Sequence, residues 1–386
     1  MGVHVAAHRV RVLAVGMAAA VAAAAWIAPA AAWARPAVAA ASFSARGFLA
    51  SVAATSARNA WAVGQAGPAF SSKPRTLIAR WDGKAWKRVP SPTPASGGSL
   101  YWVTVASARN GWAVGETGSA TGTKTKTLIL RWNGTSWSRV PSPTPAGGAT
   151  LYGVSVTSAR SAWAVGWAYR GGKTLILHWN GSAWSRVPSP TPAGGALLTG
   201  VAAPSASSAW AIGWVFGNPK AKTLILHWNG SAWSRVPSPT PAGGAQLNDV
   251  AAPSASSAWA VGCSACRSHQ SKTLIVHWNG TAWTRVPSPT PAGGAVLAGV
   301  AAISASSAWA VGSTGSEAGL KHKTVVLRWN GTAWTRVPSP TPAGGAVLFS
   351  VAATSGRNAW AVGQTGTYSS SNPRTADMHW NGTTWK

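Results

Sequence analysis

The sequence predicts an all-β chain folded as a seven-bladed β-propeller of four-stranded antiparallel blades. Three repeated markers carry that expectation. Trp-Asn-Gly-(Ser/Thr) occurs six times, from Trp132, Trp179, Trp228, Trp278, Trp329 and Trp380, with a degenerate copy at Trp81-Asp82-Gly83-Lys84. A Trp-Ala-(Val/Ile)-Gly motif gives seven copies, at Trp61, Trp112, Trp163, Trp210, Trp259, Trp309 and Trp360. A third Trp follows the first marker by five residues each time: Trp86, Trp137, Trp184, Trp233, Trp283, Trp334 and Trp385. Seven units at a period of 47–51 residues point to a closed radial array.

Each unit reads as four strands, a to d. In the fourth unit, Leu198-Thr199-Gly200-Val201-Ala202-Ala203 is strand a, a short apolar run of small residues. The Ser-rich cluster 204–208 is a turn. Ala209–Gly213 is strand b, and Thr223–Trp228, rich in β-formers, is strand c. Asn229-Gly230 predicts a two-residue hairpin of type I′, in which Trp228 faces Ser231 and Leu226 faces Trp233. Ala232–Val236 is strand d. Leu224, Leu226, Trp228 and Trp233 then share one sheet face, with Ile225 and His227 on the other. Apolar groups on both faces suit a sheet packed between two neighbours.

Chemistry orders the strands. The small residues of strand a fit a crowded axis. Strand d runs into Pro-x-Pro-x-Pro, which cannot donate to a further strand and blunts an outer edge. The nine-residue connector back to the axis must cross roughly 14 Å, three strand spacings. At about 3.1 Å per residue in polyproline-like form it reaches easily. The last unit stops inside its strand d, and residues 36–43 are candidates to supply the missing outer strand.

The glycine after a short apolar strand, with an aromatic and then a Trp before the outer strand, resembles kelch and galactose-oxidase repeats. The chain departs from them in carrying single glycines, such as Gly64, Gly115 and Gly213, where kelch has a pair. The Trp-rich pattern is equally similar to tectonin-type lectin repeats and to sialidase-type (BNR) repeats, whose Asp box only Asp82-Gly83-Lys84-Ala85-Trp86 faintly matches. The resemblance spans residues 45–386 and implies a fold more than an activity.

Residues 1–34 read as a secretory signal peptide. Arg9 and Arg11 precede an apolar run from Val12 to Ala28, and Ala32-Trp33-Ala34 offers a cleavage site before Arg35. An uncleaved anchor is the alternative. Residues 35–386 would form the propeller, exported and held as a monomer, in or near the cell envelope. The chain carries 33 Lys plus Arg against five acids, a formal net charge of +28. That charge repels a second copy and attracts polyanions. The expected partner is an anionic polysaccharide or wall polymer, with nucleic acid bound through charge alone. Cys263 and Cys266 read as a loop-closing disulfide of an oxidising compartment. No cofactor or metal site is expected.

The loops between b and c differ most among the units, and loops on a rigid scaffold carry function. They hold most of the unrepeated aromatics and many cations. The sharpest cluster lies on blades 3 and 4: Trp167, Tyr169, Arg170 and Lys173 beside Trp214, Phe216, Lys220 and Lys222. Tyr101, Trp102 and Tyr152, near the start of strand a, open onto the same face. Aromatic platforms flanked by cations suit acidic or phosphorylated sugars. The 21 repeated Trp are read as packing. Enzymatic hydrolysis of a glycan needs two carboxylates in separate roles. The five acids are scattered: Asp82, Glu116 in a b–c loop, Asp249 at the start of a strand a, Glu317 and Asp377. The expected function is therefore a secreted basic binding protein for an anionic or glycan polymer. The alternatives are an extracellular protein–protein scaffold and a carbohydrate-active hydrolase or lyase.

Overall fold

A computed structural model describes residues 43–386 except 70, 119–124, 218–219, 267–270 and 316–320, so the signal segment lies outside the described residues. The chain forms seven antiparallel sheets in sequence order, spanning 47–89, 98–140, 149–187, 196–236, 245–286, 295–336 and 346–380. Six have four strands in the order a-b-c-d, and the seventh has strands a to c. In blade 4 these are Ala196–Ser205, Ser208–Val215, Lys222–Trp228 and Trp233–Val236. Strand a of each blade packs against strand a of the next, and blade 7 against blade 1, so the a strands line the axis and the ring closes.

The seven glycines of the Trp-Ala-(Val/Ile)-Gly motif answer a bulge in strand a. In blade 4 the register shifts between Leu198 and Gly200, so Thr199 is skipped in the pairing with strand b. The bulge drives the Leu197 carbonyl toward Gly213, where a Cβ would lie 2.0 Å from that oxygen. The same approach, 1.9–2.0 Å, recurs at Gly64, Gly115, Gly166, Gly262, Gly312 and Gly363. A bulge bends its strand and re-aims a side chain. Here Thr199 Oγ1 is turned onto the Leu247 carbonyl of blade 5, at 2.9 Å.

The tryptophans tie blade to blade. The strand-b Trp is 0–1% exposed in every blade. Trp163 of blade 3 meets Trp228 and Trp233 of blade 4 at 4.9 and 5.1 Å, the second edge to face. Trp210 repeats this with Trp278 and Trp283 of blade 5. Such pairs add about 0.5–1.5 kcal/mol beyond their area burial. The other face of the strand-b Trp is covered by the residue before the strand-c Trp. That residue is His227 over Trp210, at 4.2 Å, and Arg131 over Trp112, at 5.2 Å. Burial lowers the pKa of His178, His227, His277 and His379, so they stack as neutral rings at neutral pH. The strand-c indole N–H donates to the carbonyl of the a–b turn in all seven blades, at 2.9–3.2 Å.

One expectation is corrected. The c–d hairpin is not a two-residue turn, because Trp228 pairs with Trp233 across a four-residue loop. Asn229 Oδ1 accepts from the Ser231 N–H, the Ser231 hydroxyl and the Ala232 N–H, an Asx turn. Gly230 alone takes positive φ, whereas type I′ demands it twice. The slip is by two residues, so the faces are unchanged. Leu224, Leu226, Trp228 and Trp233 still pack toward blade 3, while Ile225 packs toward blade 5. The outer edge of blade 7 is begun by the carboxyl terminus, and the described end of the amino-terminal segment lies along the same edge. Trp385 bridges to Trp380, and Lys386 exchanges both backbone bonds with His379. Phe43–Arg46 runs antiparallel beside the start of strand c, on the edge away from strand b. The Phe43 carbonyl accepts from Thr375 Oγ1 at 2.6 Å, and Thr375 N–H donates to the Ala45 carbonyl. Residues 36–42 lie outside the described residues.

Candidate functional site

The b–c hairpins and the d–a connectors share one face of the disc, the upper face. Strand b of blade 3 continues through Trp167 and Ala168, which pair with Thr174 and Lys173. Val215 of blade 4 pairs with Lys222 in the same way. Trp167 and Trp214 are thus strand residues and not loop residues, and they are buried, as is Tyr152. With Leu197 they form an apolar cluster against which Tyr101, Tyr169 and Phe216 lie half-buried. Trp167 holds the rings of Tyr169 and Phe216 edge-on at 4.8 and 5.7 Å. Tyr101 stacks obliquely on Tyr152 at 5.6 Å. Trp102, half-buried, packs instead on the core between blades 2 and 3. The bulge of strand a places Tyr101 and Tyr152 here, each being the residue skipped by the pairing.

Glu116 is not in a loop. It lies in strand b of blade 2, buried, at the position that Trp167 holds in blade 3. Its carboxylate accepts from Tyr101 OH at 2.8 Å, from Tyr169 OH at 3.2 Å and from Thr150 Oγ1. Burial first, and then the neighbouring Glu116 charge, push the Tyr169 hydroxyl up to about 12. A phenol so shifted is a donor at neutral pH and a poor base. This network belongs to blades 2 and 3 and fixes the tilt of Tyr101 and Tyr169.

Asp249 is buried in strand a of blade 5, with one oxygen 2.7 Å from its own chain's Val250 N–H and the other 2.8 Å from Val300 N–H of blade 6. Burial pushes its carboxyl up to about 8, against the pull of those two donors. Glu116 and Asp249 therefore stand in separate networks, in non-neighbouring blades. Asp82 is held well below the usual carboxylate range by Lys87, with help from the Ala85 and Lys84 amides.

The cations around the platform are exposed: Arg170, Lys173, Lys220 and Lys222. Lys220 Nζ donates to the Ala242 carbonyl at 3.0 Å, which ties its loop to the next connector. Lys173 and Lys222 open strand c, so the sheet fixes their direction. Cys263 and Cys266 are joined as a disulfide with Cα atoms 5.4 Å apart. The sequence reading passed over the arginines of strand d, which stand beside these lysines. Their signal is the Trp-(Lys/Ser/Thr)-Arg pattern of the first six units, from Trp86-Lys87-Arg88 to Trp334-Thr335-Arg336.

No family model matches the chain, and no curated protein matches it either. Solved structures do. One, YCF48 bound to D1 peptide, is 12% identical with a TM-score of 0.52, over 86% of this chain and 95% of that one. A PL25 ulvan lyase bound to -[GlcA(1-4)Rha3S]- is 8% identical with a TM-score of 0.58, over 88% and 96%. The GH74 xyloglucanase from Xanthomonas campestris is 14% identical with a TM-score of 0.55, over 88% of this chain and 54% of that one. The chain spans about half of that enzyme's length. At these identities the likeness shows the fold, a seven-bladed β-propeller, and kelch and tectonin proteins are not among these neighbours.

Proposed function

We infer that this chain is an exported β-propeller that binds an anionic or glycan polymer on its upper face. The observation that carries the reading is the platform on blades 2 to 4. Half-buried Tyr101, Tyr169 and Phe216 are braced by buried Trp167, Trp214 and Tyr152 and ringed by Arg170, Lys173, Lys220 and Lys222. Rings held edge-on from below offer rigid apolar surface to a sugar at little entropic cost, and adjacent cations take its acid groups. Solved neighbours whose names include glycan-acting enzymes agree with a sugar ligand, as do the lectin-like repeats that the sequence resembles. Export rests on the segment 1–34. Among the described residues no helix is long and apolar enough to cross a membrane.

The test is retention of the mature protein on cell wall, chitin, heparin and DNA at low and high salt. Salt-resistant retention on one glycan, lost in Phe216→Ala, supports a sugar site. Retention on none of the four would overturn the reading.

A further inference from the structure

The repeat that builds the blades also builds a groove at their outer edge. We propose that these grooves form one basic track around the rim, which holds a single linear anionic polysaccharide across several blades. The proposal rests on the polyanion reading above and moves its main contacts from the loops to repeated strand positions.

In blade 3 the groove has a volume of about 610 Å³ and is lined by Lys173, Thr174, Arg186, Pro188, Ser189 and Thr191. Its floor is fixed by hydroxyls. Thr174 Oγ1 lies 2.9 Å from Ser189 Oγ, 2.8 Å from Thr191 Oγ1 and 3.1 Å from the Pro190 carbonyl. The same latch, from the same strand-c threonine to its connector, recurs in blades 1, 2, 4, 5 and 6. The walls are cations. Lys173 precedes the latch threonine, Arg186 is the third residue of strand d, and both are exposed. The two positions are cationic and exposed in each of blades 1 to 6, from Arg75 with Arg88 to Lys323 with Arg336.

Nothing acidic on the described surface neutralises them. Glu116 and Asp249 are buried, and Asp377 has a buried, unpartnered oxygen. Asp82 is engaged by Lys87, the single salt bridge among the described residues. Like charges at this density repel, and a polyanion relieves them while releasing its own counterions. One exposed pair alone is worth little. A chain touching successive blades gains through effective concentration, by about 10²–10⁴ in avidity. The arginine fork fits a carboxylate or sulfate in two-point fashion. The groove lining includes no aromatic residue, so it offers no platform for nucleobases, which favours a polysaccharide over a single-stranded nucleic acid.

The probe is heparin, as long chains and as a tetrasaccharide, titrated against the full chain at rising salt. The wild type should bind long chains at least about 100-fold more tightly than the tetrasaccharide. In Arg139→Gln/Arg186→Gln/Arg235→Gln, the slope of log affinity against log salt should fall by about 0.7–0.9 per arginine, about 2–3 in all. Arg109→Gln, at an exposed position in an a–b turn on the opposite face, should leave that slope unchanged. Equal affinity for both heparin lengths overturns the track without any variant. An unchanged slope in a triple variant that unfolds like the wild type also overturns it, and leaves the loop site standing. Equal or tighter binding of single-stranded DNA overturns the polysaccharide assignment. Absence of any heparin binding by the wild type would sink the track and, if the other polymers also fail, the function proposed above.

Discussion

Replacing Asp249 by serine removes a carboxylate from the inner wall of the ring but keeps its link to the next blade. Serine already stands at the equivalent place in blades 1 and 7. Ser51 Oγ accepts from Val103 N–H, and Ser350 Oγ from Val52 N–H, both at 3.2 Å. In blade 5 the same interblade amide, Val300 N–H, goes to Asp249 Oδ2 at 2.8 Å. The folded-state pKa of Asp249 is about 8 against an ordinary 3.8. Because the pKa is raised on folding, the protonated carboxyl favours the fold. That contribution is complete below pH 3.8 and is lost as pH rises through about 8. At about 1.4 kcal/mol per unit, the site has lost about 4 kcal/mol by pH 7. Asp249→Ser should therefore raise the urea midpoint at pH 7 and above, and flatten its fall between pH 5 and 8. Unfolding followed by fluorescence in a pH series measures both. Wild-type and variant midpoints that run parallel from pH 5 to 8 would refute the reasoning.

Three further outcomes follow from the same geometry. Gly213→Ala would set a Cβ 2.0 Å from the Leu197 carbonyl. It should cost about 3 kcal/mol or more in denaturant unfolding, because backbone must move to relieve it. Asn229→Ala deletes the acceptor of three bonds in the c–d turn. About 1 kcal/mol of stability should go with it, with strand content by circular dichroism unchanged. Asp377 stands where other blades carry Ile78, Ile129 or Ile225, and burial pushes it up to about 6 against the pull of the Phe43 amide. Its folding contribution is present below pH 3.8 and lost as pH rises through about 6. Asp377→Ile should thus stabilise by about 3 kcal/mol at pH 7.5 and by little at pH 4, as read from thermal melts.

Period, strand order and the packing role of the tryptophans were legible in the sequence because each is stated seven times. The hairpin register was not. Asn-Gly signals both a type I′ turn and an Asx turn, and only the side-chain bonds of Asn229 separate them. The upper-face aromatics were found as a group, but their depth was hidden. Strand b runs on beyond Gly166 and Gly213, which carries Trp167 and Trp214 inward. Glu116 looked like a loop acid for the same reason. The bulge that puts Tyr101 and Tyr152 on the upper face leaves no mark in strand a itself. Its trace is the lone glycine on the strand opposite. The rim arginines are visible in the sequence, but a residue repeated from blade to blade marks no single site until strand c and its connector are laid beside it.

The indole contacts between blades have an optical consequence. At six successive interfaces, from Trp61 with Trp132 to Trp309 with Trp380, rings on adjacent blades lie 4.7–5.1 Å apart at interplanar angles of 53–58°. Transition dipoles this close, repeated with one handedness, couple as excitons and add rather than cancel. The disc should show a strong couplet in the aromatic far-ultraviolet region and depolarised tryptophan emission, because excitation hops from blade to blade. Parting one interface would interrupt that path, so opening of the ring can be followed in the native chain without any attached label.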